Sequence, residues 1–164
     1  MAAGEWRTDR EFPITREHVE QWIAKLEAGT PQTTGTLYRP KPETNEQGHV
    51  KPAGYCCIGV LGSVLEEAGL MERCEVKSKI HRETIFHGWH FKEDSSPEFG
   101  NADPYQAVGF IGRLANWNVP PDDGKKPEKA SLTDTLWRMN DHKRYTFPEI
   151  AKFLREEILP RIPA

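Results

Sequence analysis

Three thiols are the residues best suited to chemistry in this chain, and two are adjacent, in Tyr55-Cys56-Cys57-Ile58-Gly59-Val60-Leu61. From Cys57, the residues Leu61, Val64, Leu65 and Ala68 recur at helical spacing, so Cys57 faces a core and behaves as a small hydrophobe. Cys56 is turned about 100° away and lies in the first turn. There the helix dipole and free N–H groups favour an anion. That placement can lower a thiol pKa and expose a nucleophilic thiolate. The competing reading is that both cysteines are packing residues. Gly59 and Gly62 lie in the same helix, where each costs roughly 1 kcal/mol relative to alanine. Something therefore approaches that backbone closely, either another element or a ligand.

A cysteine hydrolase or transferase also needs a base, an orienting group and oxyanion donors. The chain order is Gln32, Cys56, His87 or His90, then Asn140 or Asp141. A papain-like site uses glutamine, cysteine, histidine and asparagine in that order, which makes Cys56 the nucleophile and His90 the base. Order among common residue types arises easily by chance, and such local signatures do not transfer between families. Asn140-Asp141 has a structural alternative, hydrogen-bonding the backbone that follows and setting up the next helix. Gln32 likewise reads as an amide that satisfies backbone near Gly59 and Gly62. Metal chemistry is poorly served: Cys74, His81, His87 and His90 add donors, but no pair has zinc-ligand spacing. Gly59-x-x-Gly62 lies inside a helix and not after a strand, so it is no phosphate loop. No metal and no cofactor are expected.

With 164 residues, 37% hydrophobic and 29% charged, the chain suits one domain with its own core. A net charge of −3 argues against a nucleic-acid partner. No apolar run approaches the roughly 20 residues of a membrane span. The N-terminal residues lack a hydrophobic signal region, and an odd number of cysteines fits reduced thiols, so a cytoplasmic location is expected.

Positioning these residues falls to a set of helices. Residues 1–13 read as a loosely ordered lead-in and 14–164 as one globular domain. Thr15 caps a helix carrying Val19, Trp22, Ile23 and Leu26, stopped by Gly29 and Pro31. Residues 32–38 suggest a short strand, 40–52 a loop, and Gly69 the end of the cysteine helix. Ile85, Trp89 and Phe91 alternate, which suggests a strand or hairpin over 83–92. Asp103-Pro104 starts a helix that carries Val108, Ile111 and Ala115 and runs to Asn118 and Pro120; residues 119–130 read as an exposed loop. Thr146-Phe147-Pro148-Glu149 is a capping box for a last helix carrying Ile150, Ala151, Leu154 and Ile158. The class is α+β, helix-dominated, with a small β-sheet or hairpin. Trp22, Ile23, Leu26, Leu61, Val64, Leu65, Ile150 and Leu154 should be buried.

Three segments together carry a resemblance: Trp22-Ile23-x-x-Leu26-x-x-Gly29-x-x-Gln32-x-x-Gly35-x-Leu37, the Tyr55-to-Leu61 run, and Met139-Asn140-Asp141 with Thr146-Phe147-x-Glu149-Ile150-Ala151. The combination resembles a family of small, uncharacterised bacteriophage and prophage proteins, with Gln-x-x-Gly-x-Leu, Cys-Cys-Leu-Gly-Val-Leu, Leu-Asn-Asp and Phe-x-x-Ile-Ala motifs. A related set of bacterial domains shares a Cys-x-x-Gly-Ala turn and a later Asn-Asp pair, which singles out Cys56 as the matching cysteine. Gly62 departs from the pattern where many members carry another cysteine, and Met139 replaces leucine. The resemblance implies a phage or prophage origin and no particular activity. Large rings at Trp89, Phe91, Phe99, Trp117 and Trp137, several in loop-like segments, suggest partner anchors. The leading expectation is an accessory protein that binds a host protein or sequesters a small molecule, with Gln32, Cys56, Asn140 and Asp141 converging around the start of the cysteine helix. The alternative is the Cys56-dependent enzyme.

Overall fold

The computed structural model describes residues 11–77, 85–92, 103–117 and 131–164. Its centre is the cysteine helix α2, Cys57–Glu67, in which every residue from Cys57 to Leu65 is buried. A helix apolar on all sides must be covered on all sides. The covers are α1 (Arg16–Glu27), α3 (Asp103–Leu114), α4 (Leu132–Trp137) and a four-stranded antiparallel sheet. That sheet runs in the order β4 (Gly54–Tyr55), β1 (Tyr38–Arg39), β6 (Ile85–Phe91), β5 (Met71–Lys77). Between β1 and β4 a separate hairpin forms from β2 (Glu43–Thr44) and β3 (Val50–Lys51). The final helix α5, Phe147–Phe153, packs on α1 and continues through a π turn, Leu154–Ile158, into a 3₁₀ turn. The class is α+β, as the helical periodicity and the single clear strand imply.

The eight residues expected in the core are all buried. Trp22 also donates its indole N–H to the carbonyl of Cys57 at 2.9 Å, which fixes α1 against the start of α2. Glycine explains the tightest contacts. A Cβ on Gly59 would lie 1.9 Å from the carbonyl oxygen of Leu37, and one on Gly62 would lie 2.6 Å from the Trp89 ring. What approaches these glycines is the protein itself.

Several local expectations are corrected. Ala68 is exposed, because it caps the helix where α2 leaves the core. Of the strand expected over 32–38, Gln32 forms an isolated parallel bridge with Tyr55, residues 33–37 are not strand, and ladder pairing starts at Tyr38, opposite Tyr55 and His87. The loop expected over 40–52 contains the β2–β3 hairpin, joined through a tight turn in which Gly48 N–H reaches the Asn45 carbonyl at 3.0 Å. The strand around 83–92 pairs along its length with β5, whose charged residues hid it. Helix α4 has only Leu132 and Leu136 to bury, too few for a periodic signal. Trp89 and Phe91 are not surface anchors: Trp89 is fully buried over Gly62, and Phe91 stacks on buried Phe12 at 4.4 Å. Trp117 packs edge-on against Phe153, whereas Trp137 is exposed. Trp6, His81, Phe99, residues 119–130 and most of the lead-in lie outside the described residues.

Candidate functional site

The backbone of residues 31–37 wraps the entrance to α2. Thr33 N–H donates to the Tyr55 carbonyl at 2.8 Å, Tyr55 N–H to Pro31 at 2.9 Å, and Cys56 N–H to Leu37 at 3.2 Å. Across from this wrap, α4 runs into a π turn, Arg138–His142. The wider turn, closed by Lys143 N–H on the Arg138 carbonyl at 2.8 Å, carries Asn140 and Asp141 toward the same point. Such insertions cost regular helix geometry and recur where a side chain must be re-aimed.

Asn140 is the hub. It is almost wholly buried, at 1% exposure, so each of its polar atoms needs a partner. Its Oδ1 accepts from Gln32 Nε2 at 3.0 Å and from the Cys57 N–H at 3.2 Å. Its Nδ2 donates to the Thr33 carbonyl at 2.9 Å and to Asp141 Oδ1 at 2.7 Å. Gln32 Nε2 also reaches the Tyr145 carbonyl at 2.8 Å, and Asp141 Oδ2 accepts from the Gly35 N–H at 3.1 Å. The amides therefore bond to distant backbone. Asn140 and Asp141 do not organise the residues that follow them, and Gln32 does not serve Gly59 or Gly62. The capped start of α5 is supplied by Thr146 and Glu149 alone.

Cys56 is the N-cap of α2, and its Sγ accepts from the Gly59 N–H at 3.4 Å. Cys57 points inward toward the Leu136 carbonyl at 3.6 Å. Burial pushes the Cys56 thiol up to about 12, because desolvation of a thiolate outweighs the N–H groups of Gly59 and Ile58 that favour it. Cys57 is also raised, again by burial first, with the neighbouring thiol adding to it. The first-turn N–H groups of Cys57 and Gly59 are already taken, so neither is offered to an oxyanion. Beside Cys56 lies a cavity of about 40 Å³, lined also by Gly35, Tyr105, Trp137, Asn140 and Asp141. It has room for a water molecule or so and not for a substrate. Among the described residues, no histidine lines it. His87 and His90 instead face Glu75 and Glu72 across the β5–β6 ladder, at 3.7 and 3.6 Å.

The larger depression lies on the other side of Asn140. It is a groove of about 670 Å³ between the β2–β3 hairpin and the turn after the π insertion. Gln32, Thr33, Thr34 and Asn140 line it, with Asn45, His49, Val50, Lys51 and Pro52 from the hairpin and Arg144 from the turn. Arg144 has a left-handed backbone, φ 52°, uncommon for a side chain of this size. Under the groove, buried Arg39 donates from Nη1 to Thr33 Oγ1 and to the Thr34 carbonyl at 3.1 Å. Its Nε lies 3.5 Å from Glu43 Oε2. Sequence reasoning missed Arg39, Lys51 and Arg144. The only available signal was the spacing of Gln32 from Asn140, which share the groove although 108 positions apart.

Gln32, Cys56, Asn140 and Asp141 are thus brought together, but they serve two depressions. Gln32 and Asn140 line the groove; Cys56, Asn140 and Asp141 line the small cavity. Among the described residues, no group of three or more His, Cys, Asp or Glu side chains is arranged to hold a metal ion. No helix among them is long and apolar enough to cross a membrane. Compared with family models, with curated proteins and with solved structures, the chain matches none.

Proposed function

We propose that this chain is a phage or prophage accessory protein, acting in the host cytoplasm as a binding module that holds a small polar molecule in the groove beside Asn140. The observation that carries the reading is the groove itself. Its volume of about 670 Å³ lies within the roughly 300–1,000 Å³ usual for ligand sites, and its floor is pinned by the buried Asn140 network. Pre-formed polar groups recognise a ligand without a cost for ordering them. Gln32 commits its amide N–H groups to Asn140 and Tyr145, which leaves Oε1 as an acceptor. Asn45 commits Oδ1 to the N–H groups of Gln47 and His49, which leaves Nδ2 as a donor. The phage origin rests on the motif resemblance alone. The cytoplasmic placement rests on three free thiols, which suit a reducing compartment.

The reading is tested by ligand-observed NMR with a mixed panel of neutral, cationic and anionic small molecules, against the wild-type chain and Thr34→Trp. Thr34 lines the groove and its carbonyl, not its side chain, carries the bond to Arg39, so the indole fills space without unpicking the network. Hits that bind the wild type and are lost in Thr34→Trp support the groove. Hits retained in full by the variant, or a panel with no hits, refute it.

A further inference from the structure

The charge on the groove is out of keeping with the chain that makes it. The sequence carries a net charge of −3, yet Lys51 and Arg144 line the groove and no carboxylate does among the described residues; Glu43, opposite Lys51 in the hairpin, faces Arg39 instead. Several bases elsewhere have carboxylate partners, though among the described residues exposed ones such as Lys152 do not; what marks the groove is that both charges lining it are positive. Arg16 pairs with Glu20, Lys25 with Glu67, Arg39 with Glu43, Arg73 with Glu66 and Arg155 with Glu27. Lys51 and Arg144 have no such partner among the described residues. The acid nearest Arg144 in sequence, Asp141, is turned away from the groove: Asn140 Nδ2 and the Gly35 N–H hold its two oxygens, and it lines the small cavity.

We propose that the groove takes a small molecule bearing an oxyanion, a carboxylate or a phosphate, with Lys51 and Arg144 as its charge contacts. The inference rests on the groove being a ligand site and names the class of ligand. Arg144 presents a fork of donors suited to a planar or tetrahedral oxyanion, and Lys51 a mobile point charge from the facing wall. The free Asn45 Nδ2 adds a neutral donor beside Lys51 on the hairpin. Gln32 Oε1 is repelled by an anion at close range, so it selects a ligand that carries a hydroxyl or amino donor at its other end.

Isothermal titration calorimetry of the whole chain with citrate, inorganic pyrophosphate and sorbitol tests this. Citrate samples a carboxylate source and pyrophosphate a phosphate source; sorbitol supplies hydroxyls without charge. Saturable binding of at least one anion is expected, weakened about tenfold by each of Lys51→Gln and Arg144→Gln. Lys152→Gln, on exposed α5 surface away from the groove, should leave it unchanged. Both groove variants replace exposed side chains, and circular dichroism melts check that they fold. Neither anion binding, or anions binding equally well to all variants, overturns the proposal. A groove that binds neutral ligands in the NMR panel while rejecting both anions overturns this inference and leaves the binding-module reading standing.

Discussion

At position 56 two effects oppose each other. A helix N-terminus stabilises a thiolate, and Gly59 and Ile58 do offer their N–H groups to Sγ; burial disfavours the charge and wins. The consequence is measurable by alkylation. Iodoacetamide should leave Cys56 and Cys57 of the native chain unmodified through pH 8 and modify both once the chain is unfolded; selective labelling of native Cys56 at pH 7 would overturn the burial argument. The raised pKa also sets a pH dependence of stability. Cys56 is a neutral thiol in the folded state up to about 12, whereas its ordinary value is 9.0. Its contribution is therefore intact below about pH 9 and lost as pH rises from there toward 12, because only the unfolded chain has released the proton. Cys56→Ser keeps a capping oxygen and removes that titration. Denaturant melts should show the alkaline loss reduced by up to about 1.4 kcal/mol per pH unit, with neutral-pH stability within about 1 kcal/mol of wild type. Asn140 is the opposite case, a residue whose importance lies in distant partners. Asn140→Ala strands the Cys57 N–H and the Thr33 carbonyl, and should cost about 3 kcal/mol. A loss below 1 kcal/mol in urea melts would mean that water replaces the amide without penalty.

Among the elements, legibility followed the range of the interactions. Helices α1, α2, α3 and α5 announce themselves through apolar periodicity and through caps such as Thr15 and Thr146, features contained within a dozen residues. Strand β5 does not, because Glu72, Arg73 and Glu75 find their partners only opposite His90, Trp89 and His87 on β6. Arg73 in particular lies over the Tyr38 and Trp89 rings and pairs with Glu66, contacts that no local pattern encodes. The glycines of α2 were readable as sites of close approach, but their neighbours Leu37 and Trp89 were not. Two helical glycines separate propensity from packing. Gly109 in α3 is exposed, with nothing within 4 Å of the position a methyl group would take, so Gly109→Ala should stabilise by roughly 0.5–1 kcal/mol. Gly59→Ala gains the same propensity but drives a methyl into the Leu37 carbonyl. It should lose more than about 2 kcal/mol net. Equal effects at both positions, by thermal or urea unfolding, would show that the Leu37 backbone yields readily to α2.

For the whole molecule, the division is between a sealed interior and one projecting wall. The interior network draws on residues 32–35, 56–57 and 140–145, segments whose motif types pointed to a shared location before their contacts were visible. The groove was not legible, since its charges come from Lys51 in a segment without apolar pattern and from Arg144 in a turn. Every residue from Pro40 to Pro52 is exposed, so the hairpin contributes little burial. It is fixed at its base, where Thr33 Oγ1 donates to the Pro52 carbonyl at 2.6 Å and Glu43 faces Arg39. Replacing residues 45–49 by Gly-Gly retains the Thr44–Val50 pairing and that base while removing the part of the wall formed by Asn45 and His49. Stability should change by less than about 1 kcal/mol, because exposed substitutions away from packed contacts rarely do more. Ligand binding in the groove should weaken at the same time, since both a donor and part of the enclosure are gone. Hydrogen exchange adds an internal control: the Cys57 amide, held by Asn140, should stay protected in the shortened chain although it lies in the first turn of its helix. If shortening the hairpin also exposes that amide, the wall and the interior form one cooperative unit, and the hairpin is a structural brace for the entrance to α2.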